Sequence, residues 1–274
     1  MKKTLLAYPY VLWAIIFIIF PLLLVLFYSV IIATDSGFTF TLVHFKRVFE
    51  PLYLTLFWRS IKLAVICTLV CLAIGYPMAY LLSGLNVKLR NILILLFVVP
   101  MWMNFLARTY AWMTLLEKNG LINEILMFLH LPTINILYTD YAVVLGMVYN
   151  FLPFMVLPIY SVLIKADKSL IEAAGDLGAT PVTVFRRITF PLSLPGVMSG
   201  ITMVFMPAVT TFVISRLLGG AHYYLIGNLI EQQFTTSYDW GFGSALSTVL
   251  MIMILLSIGF MSRYEKENEG GRLW

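Results

Sequence analysis

The chain has 274 residues, 61% of them hydrophobic and only 11% charged, with a formal charge of +5. A water-soluble domain of this length needs roughly 25% charged residues to solvate its surface. The composition therefore excludes a soluble globule and makes lipid the solvent of most of the chain.

A bilayer core of about 30 Å is crossed by about 20 apolar helical residues. Six stretches meet that requirement, which predicts an all-α integral membrane protein built as a single domain over residues 1–274. The first predicted span is 9–32. It follows Met1-Lys2-Lys3, but its apolar run is too long for a secretory signal and no small-x-small site follows it closely, so a retained helix is expected. The second, 63–82, holds Cys67 and Cys71, whose i,i+4 spacing on a helix disfavours a disulfide. The third, 91–116, is interrupted by Arg108. Roughly 26 Å from the inner end of a straight helix, that side chain is expected to snorkel to the outer interface. The fourth, fifth and sixth are 141–164, 192–214 and 240–262. Pro21, Pro77, Pro100, Pro153, Pro158, Pro195 and Pro207 fall inside spans, where neighbouring helices can satisfy the freed carbonyls, and they predict kinks. The polar tail 263–274 is expected to fray. His44, His130 and His222 stand in distant segments, so no metal set is expected.

Orientation follows from the basic residues. With the amino terminus inside, eleven of the eighteen fall on the cytoplasmic side: Lys2, Lys3, Lys88, Arg90, Lys165, Lys168, Arg186, Arg187, Arg263, Lys266 and Arg272. The remaining seven are matched by seven outer carboxylates, Asp35, Glu50, Glu117, Glu124, Asp140, Glu231 and Asp239. The whole excess charge then lies inside, and both termini are predicted to be cytoplasmic.

The inner loop 165–191 carries the functional signal. Ser169 is predicted to cap a short helix through Ala174, with Glu172 closing a capping box, and Gly178 to turn the chain at positive φ. Thr180 then caps a second helix that opens on Pro181. Ala173, Ala174, Gly175 and Gly178 leave a flat small-residue face, suited to another protein surface.

Glu172-Ala173-Ala174, Gly178, Ile188 and Pro191 together resemble the loop motif of inner-membrane permeases of binding-protein-dependent ABC importers, with Phe190 where the family has Leu. The resemblance implies a type I ABC importer permease core, MetI-like. It also implies that Glu172, Ala173, Ala174, Gly178, Ile188 and Pro191 couple the chain to an ATPase. Pro100-Met-Trp102-Met-Asn104, Gly120-Leu-Ile-Asn123-Glu124, Leu152-Pro153-Phe154, Gly219-Gly220, Leu225-Ile-Gly227-Asn228 and Asp239-Trp240 extend the similarity to spermidine/putrescine permeases of the first, B-type, subunit. The partners so implied are two ATP-binding cassette subunits, a second homologous permease and an extracytoplasmic solute-binding protein. ATP and Mg would sit on the ATPases, with no cofactor on this chain, and no nucleic-acid partner is expected.

No Gly-x-x-x-x-Gly-Lys-Ser/Thr cradle, no His-Glu-x-x-His and no nucleophile–base set occurs, so the chain is expected to be a transport subunit without enzymatic activity. The rival readings are an ABC importer permease for another small solute and a stand-alone secondary transporter or channel. Proteins of the latter kind often hold Asp or Glu within their spans, whereas every carboxylate here falls in a loop or at a span end, which favours an external energy source. For the solute pathway the candidates are Trp102, Asn104, Tyr110 and Trp112 in span three, Tyr149 and Asn150 in span four, and Asp239 outside. An aromatic face attracts an ammonium by about 0.5–2 kcal/mol, enough to guide a polyamine and weak enough to release it.

Overall fold

The computed structural model describes residues 8–34, 37–220 and 223–270. The predictions for Asp35, His222 and the end of the tail lie outside the described residues. Five helices are long and apolar enough to cross a bilayer, and a sharply bent pair makes a sixth span if its arms count as one.

The first helix, α1 (Pro9–Ser29), ends before the predicted limit. Its β-branched continuation enters a two-stranded antiparallel hairpin, β1 (Ile31–Thr34) with β2 (Gly37–Phe40), in the register Ile31 opposite Phe40. The chain is helical as expected, and this hairpin is a local exception to it. Ile31, Ile32 and Phe38, Thr39, Phe40 are strong strand formers, and the apolarity that mimics a helical span serves a short outer ribbon instead. A short helix, α2 (Val43–Val48), leads to α3 (Pro51–Gly84). This 34-residue helix begins well before residue 63. At 1.5 Å per residue it is about 51 Å long, so it stands clear of the hydrocarbon layer.

The third span is broken. Helix α4 (Val87–Val98) runs into a tight turn, Val99–Trp102, and then α5 (Phe105–Leu116) and α6 (Leu121–Phe128) leave at 96°. Pro100 stops the first arm, and the Asn104 side chain starts the second by accepting from the amides of Leu106 and Ala107 at 2.9 and 3.2 Å. The bend at the span expected over 91–116 is far sharper than a proline kink, and it changes the depth assigned to Arg108. That guanidinium turns inward, donating to the Pro100 carbonyl at 2.8 Å and lying 5.6 Å from the Tyr149 ring centre.

The remaining spans are α7 (Asp140–Lys165), α9 (Pro181–Thr210) and α12 (Trp240–Gly270), with the short α8 (Lys168–Asp176) between the first two. Thus α9 starts eleven residues before the predicted 192, inside the stretch read as a loop. It breaks at Thr211–Phe212 and is followed by α10 (Val213–Gly219) and α11 (Ile226–Thr235). Pro77, Pro153, Pro158, Pro195 and Pro207 all sit inside continuous helices.

The core is the triple packing of α3, α7 and α9. Leu63, Cys67 and Cys71 of α3 meet Met147, Met155 and Ile159 of α7 and Val197 and Val204 of α9 in one buried cluster. Both cysteines are free. A β-carbon at Gly196 would lie 2.9 Å from the Pro158 carbonyl oxygen and the Ile159 Cα. The glycine lets α7 and α9 approach backbone to backbone, the way small residues bring membrane helices together. By contrast, α1 buries nothing over its apolar window, leaving its surface to lipid or to another chain.

Candidate coupling loop and solute pathway

At one end of the bundle, α8 projects between α7 and α9. Its cap is Asp167, whose carboxylate accepts from the amide of Ser169 at 2.9 Å. That bond to the Ser169 amide holds the carboxyl below its usual range. The capping box expected from Ser169 and Glu172 does not form, because a start at Lys168 puts Glu172 beyond the first turn. The helix runs to Asp176, two residues past the expected end.

Gly178 has φ +80°. The amide of Ala179 reaches back to the carbonyl of Ala174 at 3.0 Å, closing a left-handed glycine cap. Thr180 then accepts from the amide of Thr183 at 3.3 Å, and Pro181 takes the first helical position. Glu172, Ala173 and Gly178 are brought together on this exposed knob, with Ala174 half-buried beneath. Ile188 and Pro191 are not on it. They lie on α9 itself, Ile188 half-buried and Pro191 exposed.

Sequence reasoning missed the apolar tip. Leu177 is 88% exposed and Val182 74% exposed, flanking the glycine turn. Large apolar side chains held out at a loop tip are a feature of protein contact sites. Their signal was available, since both flank a glycine turn that has no core beneath it.

The pathway candidates separate into three groups. Trp112 and Tyr149 pack edge to face at 5.2 Å and share a groove of about 770 Å³ with Ile66, Val70, Leu145 and Val148. Lys62 and Asp140 lie at one end of that groove. Trp102, 80% exposed at the bend, and Tyr110, exposed on α5, flank Asn104, which is spent as the cap of α5. Asn150 and Asp239 lie elsewhere. Asn150 is 3% exposed within the helical core, its amide donating to the Gly146 carbonyl at 2.7 Å and its oxygen without a partner among the described residues. Asp239 is bound to Arg47 at 2.9 Å and accepts from the amide of Phe242 at 3.1 Å, so it anchors the start of α12 rather than presenting a free carboxylate.

The far end of the bundle is tied by ion pairs. Arg59 meets Asp140 at 2.8 Å, Arg216 meets Glu231, and the Tyr223 hydroxyl donates to Asp140. Burial, and then the neighbouring Asp140 carboxylate, push the Tyr223 phenol upward, so it stays a neutral donor. Asn228 holds the broken end of α9. Its amide nitrogen donates to the Phe212 carbonyl at 2.8 Å, and its oxygen accepts from Ser215 and from the Leu225 amide at 2.6 and 3.1 Å.

The comparisons agree with this architecture. Residues 71–266 match the family described as "Binding-protein-dependent transport system inner membrane component". The chain is 41% identical to the spermidine/putrescine transport system permease protein PotB of Escherichia coli, over 90% of this chain and 91% of that protein. It is 30% identical to the inner membrane ABC transporter permease protein YdcU of the same organism, over 81% and 75%. Among solved structures, a bacterial ABC transporter involved in the import of alginate aligns with a TM-score of 0.78 at 17% identity, covering 96% of each chain. The MetNI methionine ABC transporter aligns with a TM-score of 0.58 at 16% identity, covering 77% of this chain and 93% or more of the other. The chain belongs to the inner membrane components of binding-protein-dependent transport systems, as a multi-pass membrane protein.

Proposed function

We propose that this chain is the membrane permease of an ATP-driven importer of polyamines, docking through α8 onto an ATPase and lining the solute path with aromatic faces. The knob at Glu172–Gly178, with its exposed Leu177, carries the reading, because an apolar side chain held out on a loop between two spans is suited to a protein partner. The PotB relatives support spermidine or putrescine as the solute. A neighbouring structure holds a "pentasaccharide-bound periplasmic protein", which supports a solute-binding protein as a further partner. The complete importer then comprises this chain, a second homologous permease, two ATPases carrying ATP and Mg, and the binding protein. Nucleotide-driven closure of the ATPases moves the α8 knobs and opens the path alternately to each side, a two-state element biased by a ligand. ATP-dependent uptake of labelled spermidine by the reconstituted importer tests this directly. Uptake that persists with no ATPase present sinks it in favour of a stand-alone carrier.

We infer from the excess of basic residues in the inner segments that α8 and both termini face the cytoplasm. Cysteines introduced at Ser169 and at Thr236 are expected to react with an impermeant thiol reagent from opposite faces, Ser169 from inside. Labelling of both from one face would overturn the span arrangement.

The aromatic path has its own test at Trp102, 80% exposed at the bend. A polyamine loses water from its ammonium groups, and aromatic faces offset part of that loss. Trp102→Leu should lower uptake about three- to tenfold, a loss of about 1 kcal/mol, while Trp102→Phe retains more. Equal uptake by the two variants removes the cation–π argument.

A further inference from the structure

The segment Phe185–Thr189 is wound more widely than the α-helix on either side of it. The amide of Phe190 donates to the carbonyl of Phe185, five residues back, while Val184 and Phe190 themselves keep α-helical torsions. Pro191 supplies the reason. It has no N–H to give the Arg187 carbonyl, and in a regular α-helix its ring would press on that carbonyl. One extra residue in the preceding turn removes the clash. Pro195 withholds a second hydrogen bond one turn later. The helix from the α8 knob to the body of α9 thus carries a wide turn followed by two missing bonds, and such turns are where helices bend or rotate most readily.

The surroundings define what moves and what holds. Above the turn, Gly196 locks α9 onto the backbone of α7. Below it, the turn joins the exposed knob. At the turn itself, the rings of Phe185 and Phe190 pack on Tyr76 of α3 at 5.8 and 5.7 Å, and Phe185 packs on Tyr80 at 5.5 Å. Ser193 Oγ donates to the Phe190 carbonyl at 2.8 Å, and the Tyr76 hydroxyl shares a buried 2.9 Å hydrogen bond with the same oxygen. With the Ser193 proton committed to Phe190, Tyr76 is the donor, and the chain Tyr76–Ser193–Phe190 ties the turn to span two.

We propose that Phe185–Thr189 is the joint through which movement of the α8 knob reaches span five, and that Tyr76 is the positioning residue on which the joint swings. The proposal rests on the reading that α8 docks on an ATPase. It assigns Ile188 and Pro191 a role different from Glu172–Gly178: the knob makes the contact, and the proline-induced turn transmits it.

The test uses the complete importer in liposomes with loaded binding protein, and reads solute imported per ATP hydrolysed. Pro191→Ala restores an N–H and lets the turn tighten to α, rotating the knob by roughly 100° relative to α9. The ratio should fall about fivefold or more, since a knob in the wrong phase no longer drives the span. Tyr76→Phe and Ser193→Ala each break the same hydrogen-bond chain. Each should lower the ratio about two- to threefold, a loss of about 0.5 kcal/mol, with the double variant no lower than the worse single. A purely structural role for these residues lowers the amount of assembled importer and leaves the ratio alone. Wild-type ratios in Pro191→Ala and Tyr76→Phe overturn the joint. Should Pro191→Ala fail to assemble, Tyr76→Phe alone decides. The docking reading fails separately, in the wild-type importer, if no ATPase co-purifies, and it takes the joint with it.

Discussion

Importers carrying Gly178→Asp are expected to insert into the membrane at normal levels and to take up no solute above background. The backbone at this position has φ +80°, where a side chain costs about 1–2 kcal/mol and aspartate is among the residues that bear it best. A β-carbon there meets nothing within 4 Å. The strain is therefore local, and nothing in the bundle has to move. The carboxylate acts on the docking step. It sits beside Leu177 on a face that must lose water against its partner, and an unpaired charge buried in this way costs at least about 3 kcal/mol, a hundredfold or more in affinity. Gly178→Ala carries the backbone strain without the charge and should keep most of the uptake. ATP-dependent uptake and recovery of the ATPase with the purified chain are the two measurements. Wild-type uptake by the aspartate variant would remove α8 from the coupling role.

The distribution of what was legible follows the physics of each signal. Apolar runs are unmistakable in a lipid solvent, so the membrane class was readable. The ends of the spans were not, because a membrane helix does not stop where its apolarity stops. Arg59 and Lys62 precede the span predicted from residue 63, yet α3 carries both, and Arg59 finds Asp140 from span four. The one-for-one balance of outer charges was visible in the sequence. Its pairing was not, since Arg47 and Asp239 are brought together only by the fold. The bend at Met103 had both of its causes in plain view, Pro100 and the capping Asn104. It was misread because a membrane helix can run on through a proline, as it does at Pro77, Pro153 and Pro158 here. In the coupling loop the choice of cap turned on one residue. Asp167 and Ser169 are both good caps, and the extended backbone at Asp167 selects the carboxylate. Thr180, Pro181 and Gly178 had no such competitor.

Those corrections also redistribute the motif. Glu172 to Gly178 form a surface, whereas Ile188 and Pro191 shape the helix that leaves it. A single run of sequence thereby supplies both the contact and the element that carries its movement into the membrane. The opposite end of the bundle is built on another scheme, a cluster of short helices whose broken backbone is satisfied by side chains. It buries Ile214, Leu218, Leu225 and Ile226 in the core, and it depends as well on close backbone approach and on buried hydrogen bonds.

That dependence makes Gly227→Val the most damaging substitution expected at that end: little or no full-length chain should accumulate, and what remains should unfold at a lower temperature in detergent. A β-carbon at Gly227 would lie 2.5 and 2.7 Å from the carbonyl oxygens of Thr210 and Thr211. Both are backbone atoms at the end of α9, with no flexible side chain to swing aside, so α11 must move away. The next residue, Asn228, is buried and bonds to Phe212, Ser215 and Leu225. Displacing it leaves several of these groups unpaired in a dry interior, at about 1–3 kcal/mol each. The sum approaches the 5–15 kcal/mol that typically holds a whole domain together. The loss spreads further, because the amide of Ile226 donates to Ser60 of α3 at 2.8 Å and Tyr223 binds Asp140, so the same displacement frees spans two and four from the cluster. Asn228→Ala removes the bonds without the clash and should give an intermediate loss of about 2–4 kcal/mol, seen as a smaller drop in the unfolding midpoint. Normal accumulation and a wild-type midpoint in Gly227→Val would mean that α11 is not packed against the end of α9, and the seam that joins the broken span to its neighbours would have to be redrawn.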